Sequence, residues 1–202
     1  MWRFLRCLLR QDVNNLYGGN VGSHHGFADS LSLPSDATGL IKISTYAINI
    51  LGGSNNVLIG EKYVFVGTSN PTYSKHITQF INTPKWSNGA SWSAGKRPTE
   101  STYGSSGCCA YTADYSRYMY GLNSPRSGPA FHKVSEIRAG DVLYMSGPHW
   151  IVVLDRKGDQ LIVAEGNWSR QVVISDNLYR ISGEKIMRQK RSFSLNTGYH
   201  YL

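Results

Sequence analysis

The chain has 202 residues, and 21 lysines and arginines against 13 aspartates and glutamates give it a formal charge of +8. With 41% apolar and 17% charged residues it has a globular composition, which excludes a disordered chain. The length fits one ordinary domain, or a catalytic domain of about 120 residues with an appendage, and no apolar run approaches the ~20 residues of a membrane-spanning helix.

The longest N-terminal apolar stretch, Met1 to Leu9, is cut by Arg3 and Arg6 and lacks a small-residue cleavage site. It is too short and too interrupted for a signal peptide, which leaves export by another route or a signal already removed. Residues 11 to 40 are rich in Gly, Asn, Ser and Asp, with Pro34, and read as loop. Leu40 to Leu51 is a mixed apolar stretch compatible with helix or strand, and Glu61 to Gly67 reads as a buried strand. Ser74 to Ile81 suits a short helix with Ile77, Phe80 and Ile81 on one side. Residues 82 to 107, dominated by Ser, Gly, Thr, Pro and Trp, read as a long loop, and long loops that carry Trp86 and Trp92 point to function.

Ser106-Gly107-Cys108-Cys109 is expected to open a helix that ends near Tyr120, closed by Gly121. A strand-rich tail follows: Asp141 to Met145, His149 to Asp155, Gln160 to Glu165, Gln171 to Ser175 and Leu178 to Ile181. One helix followed by an antiparallel sheet is an α+β order. The basic residues are scattered. Their nearest cluster, Lys185, Arg188, Lys190 and Arg191, reads as a solvated face and not as a nucleic-acid stripe, although an anionic wall polymer would be attracted by the net charge. Three cysteines, Cys7, Cys108 and Cys109, do not make a disulfide framework, and no Cys/His spacing fits a zinc site.

The chemistry points to Cys108 and His149. A cysteine at the first turn of a helix meets unpaired N–H groups and the helix dipole, which favour the thiolate. His149 opens a strand after Gly147-Pro148, where a sheet rim lets it reach a helix end. If Arg156-Lys157-Gly158 forms a three-residue hairpin loop, Asp155 pairs with Asp159 and His149 lies opposite Glu165. His149, Ile151 and Val153 then share a face with Leu161, Val163, Glu165 and Asn167, whereas a two-residue loop would move Glu165 to the other face. Cys108 and Cys109 stand about 100° apart around a helix, so only one of them faces His149.

These residues resemble a known set. Ser106-Gly107-Cys108 and its helix, Ala139-Gly140-Asp141-Val142, His149 and Glu165-Gly166-Asn167-Trp168, with the upstream Trp86 to Trp92 segment, are similar to the CHAP and NlpC/P60 families. The resemblance spans roughly residues 85 to 183. It implies a papain-like α+β fold, with the nucleophile helix packed on an antiparallel sheet, in a catalytic domain over 85–202. Residues 1–84 would then be an N-terminal segment, part loop and part packed on the core. The implied activity is a cysteine amidase or endopeptidase acting on peptidoglycan, secreted or wall-associated and without a cofactor. Cys108 would be the nucleophile, His149 the general base and acid, Glu165 its orienting partner and Asn167 a further polar partner. Gly107 stands where the families usually carry an aspartate, as in some CHAP-like members. Trp92 and Tyr103 are the candidate substrate-groove residues, and Cys109 is a packing residue or half of a vicinal disulfide. Two other readings stand beside this one: a secreted toxin or effector amidase with a non-wall substrate, and a non-catalytic protein that binds cell wall or polyanion.

Overall fold

From Trp150 to Leu154 five apolar residues follow one another, with no polar position to mark a solvent face. Such a run is buried on both sides, and the structure shows what covers each. It is a computed structural model, in which residues 7–9, 24–27, 33, 37–47, 57–66, 71–99 and 103–202 are described. They fall into two units, Met1–Ala37 and Thr38–Leu202. The first contains an antiparallel ribbon of β1 (Cys7–Leu9) and β2 (His24–Phe27). Most of the loop expected over 11–40 lies outside the described residues.

The second unit begins with an antiparallel pair, β3 (Gly39–Ala47) and β4 (Val57–Val66), which settles the Leu40 to Leu51 stretch as strand as far as Ala47. Helix α1 (Pro71–Asn82) starts on a proline, the residue best suited to a first turn. Ile77, Phe80 and Ile81 are fully buried along its inner side, each contributing about 1.5–3 kcal/mol of transfer free energy. Helix α2 (Cys108–Tyr120) ends where expected, at Gly121 with φ 70°, whose N–H donates to the Arg117 carbonyl. These early strands and α1 belong to the same unit and the same core as α2, so the compact body begins well before residue 85.

After α2 the chain forms β5 (Ala130–Phe131), β6 (Val142–Met145), β7 (His149–Lys157), β8 (Gln160–Trp168), β9 (Gln171–Ser182), β10 (Lys185–Arg188) and β11 (Arg191–Tyr199). Strands β6 to β11 make an antiparallel meander, and β11 pairs with both β10 and β6. That double pairing closes a six-stranded barrel, with β5 added outside it on β11. The papain-like arrangement, a helix on an open sheet, is therefore corrected: the chain is mostly β and its sheet is closed. The physical reason lies beyond Ile181, where two strands that the basic residues disguise as a polar tail supply the closure.

Closure gives the molecule two apolar cores. Inside the barrel, Leu143, Met145, Ile151, Val153, Leu161, Val163, Tyr179, Ile181 and Ile186 pack together, as side chains must fill a barrel of so few strands. On the outer face, Val142, Trp150, Val152, Leu154, Ile162 and Ala164 pack against α1, α2, Tyr63, Phe65, Trp86 and Trp92. No helix among the described residues is long and apolar enough to cross a membrane.

Candidate active site

The start of α2 is built by the long loop before it. Gly107 adopts φ 63° and ψ −134°, a conformation closed to side-chain-bearing residues, and no side chain caps the helix. The first helical bond runs from Tyr111 N–H to the Gly107 carbonyl, so the N–H groups of residues 108 to 110 have no acceptor within the helix. Trp92 donates its indole N–H to the same Gly107 carbonyl at 2.9 Å, and Trp86 donates to Asp114 at 2.8 Å. Trp92 is only 1% exposed, so its assignment to a substrate groove is corrected: the indole holds the helix start from within. Tyr103 is partly exposed and sits beside Cys109 and Ser105, next to the site.

The hairpin between β7 and β8 brings the histidine and the carboxylate together by a different path from the one the sequence suggests. Lys157 pairs with Gln160, which leaves a two-residue loop of Gly158 and Asp159. That register alone would put Glu165 on the wrong face. Between Asp155 and Val153 the pairing slips by one residue, to Val153↔Val163 and Val152↔Ala164. This β-bulge restores the parity, so Glu165 shares the inner face with His149 but stands level with Ile151. The expected Asp155↔Asp159 pair and the directly opposed His149 and Glu165 are thus corrected, while the shared face stands.

His149 Nε2 lies 2.5 Å from Glu165 Oε2. Glu165 is wholly buried and accepts three further hydrogen bonds: from the Tyr179 hydroxyl at 2.8 Å and from Arg188 Nε and Nη2 at 3.2 and 3.0 Å. Arg188 is buried as well, and its guanidinium lies 3.4 Å from the centre of the Trp168 ring. Both arginine bonds converge on Oε1 while Oε2 serves His149 and Tyr179, so the buried charge has a charged partner and both oxygens are bonded. Neither Tyr179 nor Arg188 emerges from the motifs, and the sequence places Arg188 on a solvated face. The signal was alternation: Arg188 stands two residues after the apolar Ile186 and faces inward with it.

The Cys108 side chain is within electrostatic reach of His149, and its sulfur lies 3.9 Å from the Pro148 carbonyl oxygen. Burial pushes this thiol up, but the His149 hydrogen bond and charge, with the backbone N–H groups of Trp150 and Cys109, outweigh it and hold the thiol below its ordinary value. Burial pulls His149 down, but its bonds and charge interactions with Cys108 and Glu165 prevail and raise it to about 9. Together these shifts favour the thiolate–imidazolium pair over the neutral thiol and imidazole. Cys109 is the opposite case: burial dominates, the thiol is raised, and it points toward Tyr103 and Ser105. Both thiols are free, so Cys109 packs and forms no vicinal disulfide with Cys108.

Asn167 sits at φ 65°, with its amide nitrogen 3.3 Å from where a side chain at Gly107 would begin. It borders the helix start and does not enter the His149–Glu165 bond. Gly166 explains the close approach, since a Cβ there would lie 2.6 Å from the Cβ of Tyr111 and 2.8 Å from the Trp92 indole. Four chain segments therefore converge on one spot, with a nucleophile, an acid/base, a buried anion and open backbone donors. Comparisons of the chain with protein-family models, curated proteins and solved structures return no match.

Proposed function

We propose that this protein is a cysteine hydrolase that cuts an amide bond of bacterial peptidoglycan, as an amidase or endopeptidase working outside the cell at the wall. The observation that carries the reading is the line of Cys108, His149 and Glu165, with the thiol lowered and the imidazole raised. The order of Ser106-Gly107-Cys108, Gly140-Asp141, His149 and Glu165-Gly166-Asn167-Trp168 supports it, because it resembles the CHAP and NlpC/P60 wall hydrolases. The +8 charge suits an anionic wall.

In this reading the Cys108 thiolate attacks the amide carbonyl carbon and its electron pair forms the carbon–sulfur bond. The carbonyl oxygen becomes an oxyanion beside the open N–H groups at the start of α2, a kind of donor worth about 10²–10³-fold in rate. Protonated His149 delivers its proton to the amine as the carbon–nitrogen bond breaks. The neutral imidazole then takes a proton from water, whose oxygen attacks the thioester and releases the acid and the thiolate. Glu165, held by Tyr179 and Arg188, keeps the ring aimed throughout.

Purified protein is expected to clear cell-wall sacculi, Cys108→Ala to abolish clearing, and mass spectrometry of the fragments to identify the new termini. Unchanged clearing by Cys108→Ala would refute the catalytic role. Cleavage of soluble peptide amides but not of sacculi would move the substrate from the wall to another amide. An iodoacetamide reaction at Cys108 no faster than that of a small free thiol would favour binding without chemistry.

A further inference from the structure

Two arginines rest on tryptophans that adjoin Cys108 and His149, and among the described residues neither meets a carboxylate. Arg126, in the loop after α2, places its guanidinium carbon 5.3 Å from the centre of the Trp150 ring. Arg191, at the start of β11, lies 5.4 Å from the centre of the Trp168 ring. The two tryptophans adjoin the site through different parts: Trp150 sends its ring into the outer-face core, and Trp168 packs its ring against His149. Trp150 follows His149 and turns its backbone N–H toward the Cys108 sulfur, and the Trp168 ring centre is 5.5 Å from that of His149. Burial pushes up the neighbouring Tyr103 hydroxyl and Cys109 thiol, and the positive charge of Arg126 is felt at both as an opposing pull.

Both arginines are exposed, and among the described residues neither is paired with a carboxylate. Other arginines are occupied within the protein: Arg188 binds Glu165, Arg156 donates to the Ile137 carbonyl, and Arg117 donates to Asn123. A guanidinium resting on an indole keeps its stem ordered while its donor fork stays open, and that fork matches a carboxylate in two parallel bonds. The two cations rest on different tryptophans, Arg126 on Trp150 and Arg191 on Trp168, so they fit discrete negative groups and not one continuous polyanion.

We propose that the site takes an acidic peptide, with one carboxylate bound by Arg126 and another by Arg191 while an amide is presented to Cys108. This rests on the amide-hydrolase reading and adds the charge class of the substrate. The site then selects for negative side chains or free carboxylates near the scissile bond, and neutral peptides bind it poorly.

The test separates binding from chemistry by using the full chain carrying Cys108→Ala. Fluorescence anisotropy at low salt is read with a dye-labelled acetyl-(Glu-Ala)3-amide and with its twin in which every Glu is Gln. The acidic peptide is expected to bind at least about tenfold more tightly than the twin, and added salt should erase the difference. Arg126→Gln and Arg191→Gln should each weaken the acidic peptide about three- to fivefold and leave the twin unaffected. Equal affinity for the two peptides, or unchanged affinity in both variants, would overturn the proposal. So would tighter binding of a thymidine oligonucleotide of matched charge, which would point to phosphate recognition. Since no hydrolysis is read, failed cleavage by the unmodified protein would count against the hydrolase alone.

Discussion

Two histidines in this protein rest on fully buried carboxylates at opposite ends of β6, and only one of them belongs to a candidate site. His149 meets Glu165 at 2.5 Å, and His200 meets Asp141 at 2.9 Å. Asp141 also accepts the Arg138 backbone N–H at 2.9 Å, and burial pushes its carboxyl up against the pull of these bonds. The His200 ring stacks on Phe131 at 4.1 Å, its backbone N–H donates to Pro129, and the next residue, Tyr201, stacks on Tyr120. That pair fastens the end of the chain to the barrel. What distinguishes His149 is a thiol on its other side and an uncapped helix start nearby. A histidine–carboxylate pair is equipped for proton transfer to a substrate only where a nucleophile and spare backbone donors stand beside it.

The sharpest way to break the comparison is at Arg188, a buried cation, since the arginine beside the other pair, Arg138, is exposed. Arg188→Met leaves a buried carboxylate without its cation and should cost about 3–5 kcal/mol of stability, read from the midpoint of urea unfolding. Replacing Glu165 by Met as well should recover most of that loss, since a matched apolar pair avoids burying a charge, while hydrolysis stays abolished. Recovery of activity in the double variant would remove Glu165 from the mechanism.

Next in size is Glu165→Gln, which preserves shape but removes the negative charge facing His149. A loss of about 10²-fold in kcat is expected on the folded protein, whereas Asp141→Asn should change kcat by less than about twofold. Comparable losses in both would mean that the two pairs act together. His200→Ala is smaller still: it leaves Asp141 short of one bond and should cost about 1–3 kcal/mol in unfolding, with kcat/KM held within about twofold.

The contrast also shows what a sequence reveals. The α2 helix was legible at both ends because glycine stands on each side of it, and the inward face shared by His149 and Glu165 was legible from alternation. The register behind that face was not, because the two-residue turn at Gly158 and the bulge near Leu154 are separate one-residue slips that cancel in parity. Closure of the barrel was hidden by composition. Lys185, Arg188, Lys190 and Arg191 make the last hairpin look like a solvated tail, although Ile186 and Arg188 face the interior. Trp86 and Trp92 did mark the long loop as important, but through burial and hydrogen bonds to the backbone and side chains that set α2, not through contact with a ligand.

The smallest expected effect is a shift in titration, and it bears directly on what sets one histidine apart from the other. His149 is raised to about 9, above its ordinary 6.5, so its protonated form contributes stability that is complete below about pH 6.5 and disappears as pH rises through 9. Cys108 has the opposite sign: its thiolate contributes above the ordinary thiol range and is lost as pH falls through the lowered value. Between those limits the ion pair exists, so kcat/KM should rise as the thiol ionises and decline again near pH 9 as the imidazolium loses its proton. Removing the sulfur takes away one of the two groups that raise His149. In Cys108→Ala the imidazole, followed by its NMR chemical shift, should therefore titrate well below pH 9, held up only by Glu165. A midpoint that stayed at 9 without the thiol would show that Glu165 alone sets the charge of the ring, and the thiolate–imidazolium pair would have to be abandoned.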